Sequence, residues 1–194
     1  MRAVRKQRDW ISLTALAPVV TLLMLVGPAG AKAQWTAAEA HTRASFRGLS
    51  VAPDGTIWLG GTHGTVLRSI DAGATWSIDT VAEAGGFDFR GVAAIDSRTA
   101  YAMVAHADTG RIYKTVDEGR TWQLQFRDER PGVFLDGLEC WDPYRCLSVG
   151  DPIAGRFLIV STTDGGAHWV ELPAAESPAA AKGEAIFAAS ASSV

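Results

Sequence analysis

The sequence predicts an all-β chain built from repeated four-stranded units, and three observations predict it. An eight-residue motif recurs three times at a near-constant period. A second short motif opens each repeat. The 194 residues include 20 Gly and 7 Trp, a usage that suits many short strands and tight turns rather than a helical bundle.

The recurring motif reads S/T-x-D-x-G-x-T-W. It appears as Ser69 to Trp76, as Thr115 to Trp122 and, with His168 replacing the second hydroxyl residue, as Thr162 to Trp169. Its acids, Asp71, Asp117 and Asp164, are 46 and 47 residues apart. An Asp in a turn accepts hydrogen bonds from backbone N–H groups a few residues on. Gly73, Gly119 and Gly166 supply a positive φ at no steric cost. Trp76, Trp122 and Trp169 then open the next strand with a large ring to bury. Each motif is therefore expected to be a hairpin turn with a core anchor attached.

The segments around these turns complete the unit. Thr65-Val66-Leu67-Arg68, Arg111-Ile112-Tyr113-Lys114 and Arg156-Phe157-Leu158-Ile159-Val160 lead into the three turns. The first two are mixed runs, as half-buried strands are, and the third is apolar enough to be buried on both faces. Farther upstream stand Phe46-Arg47-Gly48-Leu49, Phe89-Arg90-Gly91-Val92 and Phe134-Leu135-Asp136-Gly137-Leu138, the last with one extra residue. A second strand follows each of these, at Thr56 to Leu59, Ala100 to Met103 and Cys146 to Val149. Four strands in 40 to 50 residues make a β-propeller blade. Blades are expected at about 41–80, 86–127 and 133–172. The start of a fourth is expected at 184–194, around Ala185-Ile186-Phe187. Residues 34–40, with Trp35, are spaced like the closing outer strand of a preceding blade. Three blades do not close a ring, so the chain reads as part of a longer propeller with open strand edges. The Ala- and Pro-rich stretch from Pro173 to Gly183 reads as a mobile inter-blade loop.

Residues 1–33 differ from the rest. Arg2, Arg5, Lys6 and Arg8 precede an apolar run from Trp10 to Val26, and Ala31-Lys32-Ala33 matches a signal-peptidase site. The expectation is a cleaved leader and a periplasmic or extracellular protein that is not membrane-bound after cleavage; a retained anchor is the alternative. The chain holds 18 basic and 21 acidic residues, of which five and one fall in the leader. The mature part keeps 13 and 20, a net charge of −7. That balance argues against a nucleic-acid partner and against docking on anionic lipid.

The turns resemble the bacterial neuraminidase repeat, or Asp-box. The period and the Phe-Arg-Gly starts look most like the photosystem II assembly/stability factor family of propellers and its exported bacterial relatives. The resemblance spans residues 34–194 and implies a seven-bladed ring. It implies a non-catalytic scaffold that binds another protein, with an exported sialidase-like glycoside hydrolase, and carbohydrate as ligand, as the alternative. In the family these turns sit at the blade periphery, so Asp71, Asp117 and Asp164 are structural by resemblance and no metal or cofactor is expected. Sialidases carry an arginine triad and a Tyr-Glu pair. Here Gly48 and Gly91 follow Arg47 and Arg90 where those enzymes continue differently, and Leu135-Asp136 stands in place of a third arginine.

Two further sets of residues are candidates. Arg47 and Arg90 are either channel-face contacts for a ligand or partner, or blade-to-blade forks onto a carboxylate or carbonyl. Cys140 and Cys146, the only cysteines, flank a short turn and read as a disulfide in an oxidising compartment. The spacing is not that of a redox motif. Trp58, Trp141 and Tyr144 could line a sugar-binding surface, and blade packing is the simpler expectation. His41, His63, His106 and His168 show no metal-ligand spacing.

Overall fold

The computed structural model describes residues 37–187. The leader, the signal-peptidase site and Trp35 lie outside the described residues, as do the last residues assigned to a fourth blade. Among the described residues no helix is long and apolar enough to cross a membrane.

Among the described residues twelve strands form three four-stranded antiparallel meanders. The first contains β1 (Phe46–Val51), β2 (Ile57–Gly61), β3 (Thr65–Ser69) and β4 (Ser77–Thr80). The second contains β5 (Phe89–Ala94), β6 (Ala100–His106), β7 (Thr109–Thr115) and β8 (Gln123–Asp128). The third contains β9 (Leu135–Cys140), β10 (Cys146–Ile153), β11 (Arg156–Thr162) and β12 (Val170–Glu171). The first strands stand side by side, β1 against β5 and β5 against β9, so the sheets stack face to face with β1, β5 and β9 on the inside.

The alternation of side chains along a strand decides which face meets which neighbour. Val92, Ala100, Ala102, Val104 and Tyr113 of the middle sheet pack with Trp58 and Val66 of the first. The alternate residues Ala93, Tyr101, Met103, Ala105 and Ile112 pack with Leu135, Leu138, Leu158 and Val160 of the third. The middle sheet is therefore covered on both faces, which is why six consecutive residues of β6 are buried. Among the described residues the first sheet has one partner sheet, and its Leu49, Val51 and Ile78 are exposed.

Two expectations are corrected, on β11 and on the 173–183 stretch, and two expected strands are not found over the part of each that is described. Strand β11 is not buried on both faces. Leu158, Val160 and Thr162 are buried while Phe157, Ile159 and Ser161 are half-buried, because only one neighbouring sheet covers it. Residues 37–40 form no strand, and neither do residues 184–187. Ile186 instead donates its N–H to Asp151 Oδ1 at 3.0 Å. The stretch from Pro173 to Gly183 is tied along β11. Leu172 N–H bonds Ile159 O at 2.8 Å, Phe157 N–H bonds Pro178 O at 3.1 Å, and Arg156 pairs with Ala179. Buried Ser177 donates its hydroxyl to Phe157 O. Outer strand β12 is only two residues long, and this segment satisfies the β11 edge beyond it.

Candidate functional site

The three acidic turns join β3 to β4, β7 to β8 and β11 to β12 with one hydrogen-bond scheme. Asp117 Oδ1 accepts the Thr121 N–H at 2.9 Å and Oδ2 accepts the Thr121 hydroxyl at 2.7 Å. Asp71 holds Thr75 in the same way, at 2.8 and 2.6 Å. Asp164 holds His168 through its N–H at 3.0 Å and its Nδ1 at 2.7 Å. The first hydroxyl of each motif bonds the Asp and accepts the Gly N–H, as Thr115 does from Gly119 at 3.0 Å. Each carboxyl is fully engaged, and its pKa falls from 3.8 to about 2. The Thr75 and Thr121 hydroxyls are the leading causes for Asp71 and Asp117, and the His168 backbone N–H for Asp164. The residue before each motif glycine is also left-handed, at Ala72 (φ 57°), Glu118 (φ 72°) and Gly165 (φ 74°).

The glycines have a second role. A Cβ on Gly119 would lie 3.3 Å from the Trp58 ring, and one on Gly166 would lie 3.1 Å from the Tyr101 ring. The second and third turns thus rest on an aromatic residue of the preceding sheet. The motif tryptophans follow: Trp122 meets Trp58 edge-on at 6.1 Å and Trp169 meets Tyr101 at 6.3 Å. All three motif tryptophans are half-buried, while Trp58 is fully buried. Cations reinforce the joints. Lys114 Nζ lies over the Tyr101 ring at 5.1 Å and donates to Gly165 O at 2.6 Å, and burial holds its pKa below the ordinary lysine value. Arg68 lies over Trp58 at 5.8 Å and donates to Ser97 O at 2.6 Å.

At the opposite end of the sheets, each inner strand breaks register once. The breaks fall between Phe46 and Gly48, between Phe89 and Gly91, and between Leu135 and Gly137 opposite Gly150 and Val149. The extra residues are Arg47, Arg90 and Asp136. Sequence reading aligned Phe134 with Phe46 and Phe89 and counted an inserted residue. The bulge shows that Leu135 takes the phenylalanine place and Asp136 the arginine place. The signal was the shared glycine: counting back one residue from Gly48, Gly91 and Gly137 gives Arg, Arg and Asp. Arg47 is exposed, Arg90 is half-buried and Asp136 is buried. Arg90 Nε is buried with no hydrogen-bond partner among the described residues. The register puts these three residues at the far end of the strands from Asp71, Asp117 and Asp164, so acidic turns and arginines do not form one site.

Cys140 and Cys146 are bonded to each other at the hairpin between β9 and β10. Trp141 and Tyr144 within it are 64% and 66% exposed, so neither is the buried blade-packing residue expected. Among the described residues no group of three His, Cys, Asp or Glu is placed to hold a metal ion.

No family model matches the chain. Vacuolar protein sorting/targeting protein 10 of Aspergillus flavus and that of Aspergillus oryzae are each 32% identical to it over 122 residues, covering 56% of this chain and 8% of theirs. The chain thus spans less than a tenth of the length of these relatives. Among solved structures, YCF48 bound to D1 peptide aligns with TM-score 0.55 and 19% identity over 69% of this chain and 42% of that one. YCF48 from Cyanidioschyzon merolae aligns with TM-score 0.53 and 19% identity over 69% and 41%. With the three stacked meanders, these likenesses establish the fold as part of a β-propeller.

Proposed function

We propose that the chain supplies blades to an exported, non-catalytic propeller that holds a protein partner at the inner-strand end, with Arg47 and Arg90 as cationic contacts. The repeated bulge carries this reading. A bulge leaves one residue unpaired and re-aims its side chain, and in three successive inner strands that residue is charged. A guanidinium presents a fixed fork of donors that matches a carboxylate, and Arg90 Nε is a buried donor that a bound acidic group would satisfy. Support comes from YCF48, a propeller of similar fold whose structure is described as bound to a D1 peptide. The leader and the Cys140–Cys146 bond suit an oxidising compartment outside the cytoplasm.

The test places a photo-crosslinking side chain at exposed Ser45 in the full-length chain, in cells that export it. The expected result is one adduct of defined mass that disappears in Arg47→Glu and Arg90→Glu. Persistence of the adduct in both variants contradicts the arginine role. Turnover of fluorogenic glycosides by the purified protein contradicts the scaffold reading.

A further inference from the structure

We propose that Asp79 is a pH-dependent latch between the first two sheets: its ionised form loosens the joint at the second acidic turn, and its protonated form tightens it.

The repeat isolates this residue. Asp79, Gln125 and Leu172 each stand three places after a motif tryptophan. The first two occupy the same location relative to the turn of the following sheet. Asp79 Oδ2 lies 3.2 Å from where a Cβ on Gly119 would be, and Gln125 Oε1 lies 3.1 Å from the matching point on Gly166. Each oxygen therefore sits against that turn, beside the ring on which the turn rests, Trp58 in one joint and Tyr101 in the other. A neutral amide fills the place in the second joint, so the geometry of the repeat does not call for a charge. The first joint carries one.

The surroundings oppose that charge. Asp79 is half-buried. The turn it meets holds Asp117, which stays ionised through its own bonds to Thr121. Arg68 of β3 is the attractive neighbour, but its Nε donates to Ser97 O at 2.6 Å and its guanidinium lies over Trp58. The other charges at the turn are engaged: Arg120 pairs with Glu118 at 2.7 Å, and Arg98 reaches Val116 O at 3.5 Å. Burial pushes the Asp79 carboxyl above its ordinary 3.8, Arg68 draws it back, and Asp117 adds to the rise. A carboxyl raised on folding contributes stability that is complete below its unfolded pKa and is lost as pH rises through its folded one. The sign is opposite to that of the three motif aspartates, so this one joint tightens in the acid range where the turns begin to weaken.

The test compares thermal melts of the full-length parent and Asp79→Asn from pH 7 to pH 3. The variant is expected to melt about 2–4 °C higher at pH 7, and the gain fades as pH falls through about 4. Glu83→Gln, which removes an exposed carboxylate elsewhere, stays within about 1 °C of the parent. Gln125→Glu brings the charge into the second joint and lowers the melt at pH 7 but not at pH 3. Hydrogen exchange of the Trp122 indole N–H, bonded to Gly119 O, reads the joint itself: at pH 7 it should slow at least about threefold in Asp79→Asn. A variant that melts no higher than the parent at pH 7 overturns the proposal. So does a gain that persists undiminished at pH 3, which assigns the effect to packing, and so does unchanged Trp122 exchange.

Discussion

Trp122 stands edge-on to Trp58, with ring centroids 6.1 Å apart and planes at 89°. One ring comes from the acidic turn of the second sheet and the other from the interior of the first. Trp122 Nε1 donates to Gly119 O at 3.0 Å, so the turn that Asp117 folds also sets the angle of the wedge. Trp122→Ala should cost about 3 kcal/mol by urea unfolding. Trp76 holds the equivalent place in the first sheet, but there it lines an open hollow with Phe46 and Leu59 rather than an aromatic from a preceding sheet. Trp76→Ala should cost about 1 kcal/mol or less.

Acid should weaken the fold through the turns. Asp71, Asp117 and Asp164 sit at about 2 in the folded chain against 3.8 ordinarily. A carboxyl lowered on folding adds stability that is complete above its unfolded pKa and is lost as pH falls through its folded one. Thermal melts should therefore change little on this account above about pH 5 and fall between about pH 4 and pH 2. Asp117→Asn should be less stable at neutral pH and show a shallower acid decline.

The inner-strand bulge should tolerate no side chain opposite it. A Cβ at Gly150 would be driven onto the carbonyl oxygen of Phe134 and to 3.3 Å from Leu135 Cα. Backbone cannot rotate away as a side chain can, so Gly150→Ala should cost about 3 kcal/mol in denaturant unfolding. Gly86 has nothing within 4 Å of its Cβ position, and Gly86→Ala should stay within about 0.5 kcal/mol of the parent.

The Cys140–Cys146 bond closes a loop with a sequence separation of 6. Chain-entropy arithmetic for so short a loop gives about 2 kcal/mol. The paired Cys140→Ser, Cys146→Ser variant should lose about that much while keeping its far-ultraviolet circular dichroism, and the unreduced parent should show no thiol to an alkylating reagent.

How much of this was legible depended on whether the signal was local. The acidic turns could be read because Asp117 and Thr121 are four residues apart and their bond needs nothing from elsewhere. The four-strand unit could be read because side-chain alternation is local too. The third inner strand is harder to align because a bulge is a property of two strands: the shared glycine points to Asp136 in the arginine place, and the pairing of Leu135 with Gly150 establishes it. The joints were invisible for the same reason. Nothing near Gly166 in sequence says that Tyr101 lies beneath it. The fate of Trp141 turned on exposure, which the same apolar letters do not encode. The short β12 and the docking of residues 172–180 along β11 arise from edge satisfaction that no periodic pattern announces.

The central claim is that the second and third acidic turns each wedge their tryptophan against the sheet before them. A double-mutant cycle on Trp58→Leu and Trp122→Leu, read by urea unfolding, tests it most directly. The account predicts a favourable coupling of about 0.5–1.5 kcal/mol that vanishes when the cycle is repeated on Trp58 and Trp76. Additive losses for Trp58 and Trp122 would contradict it.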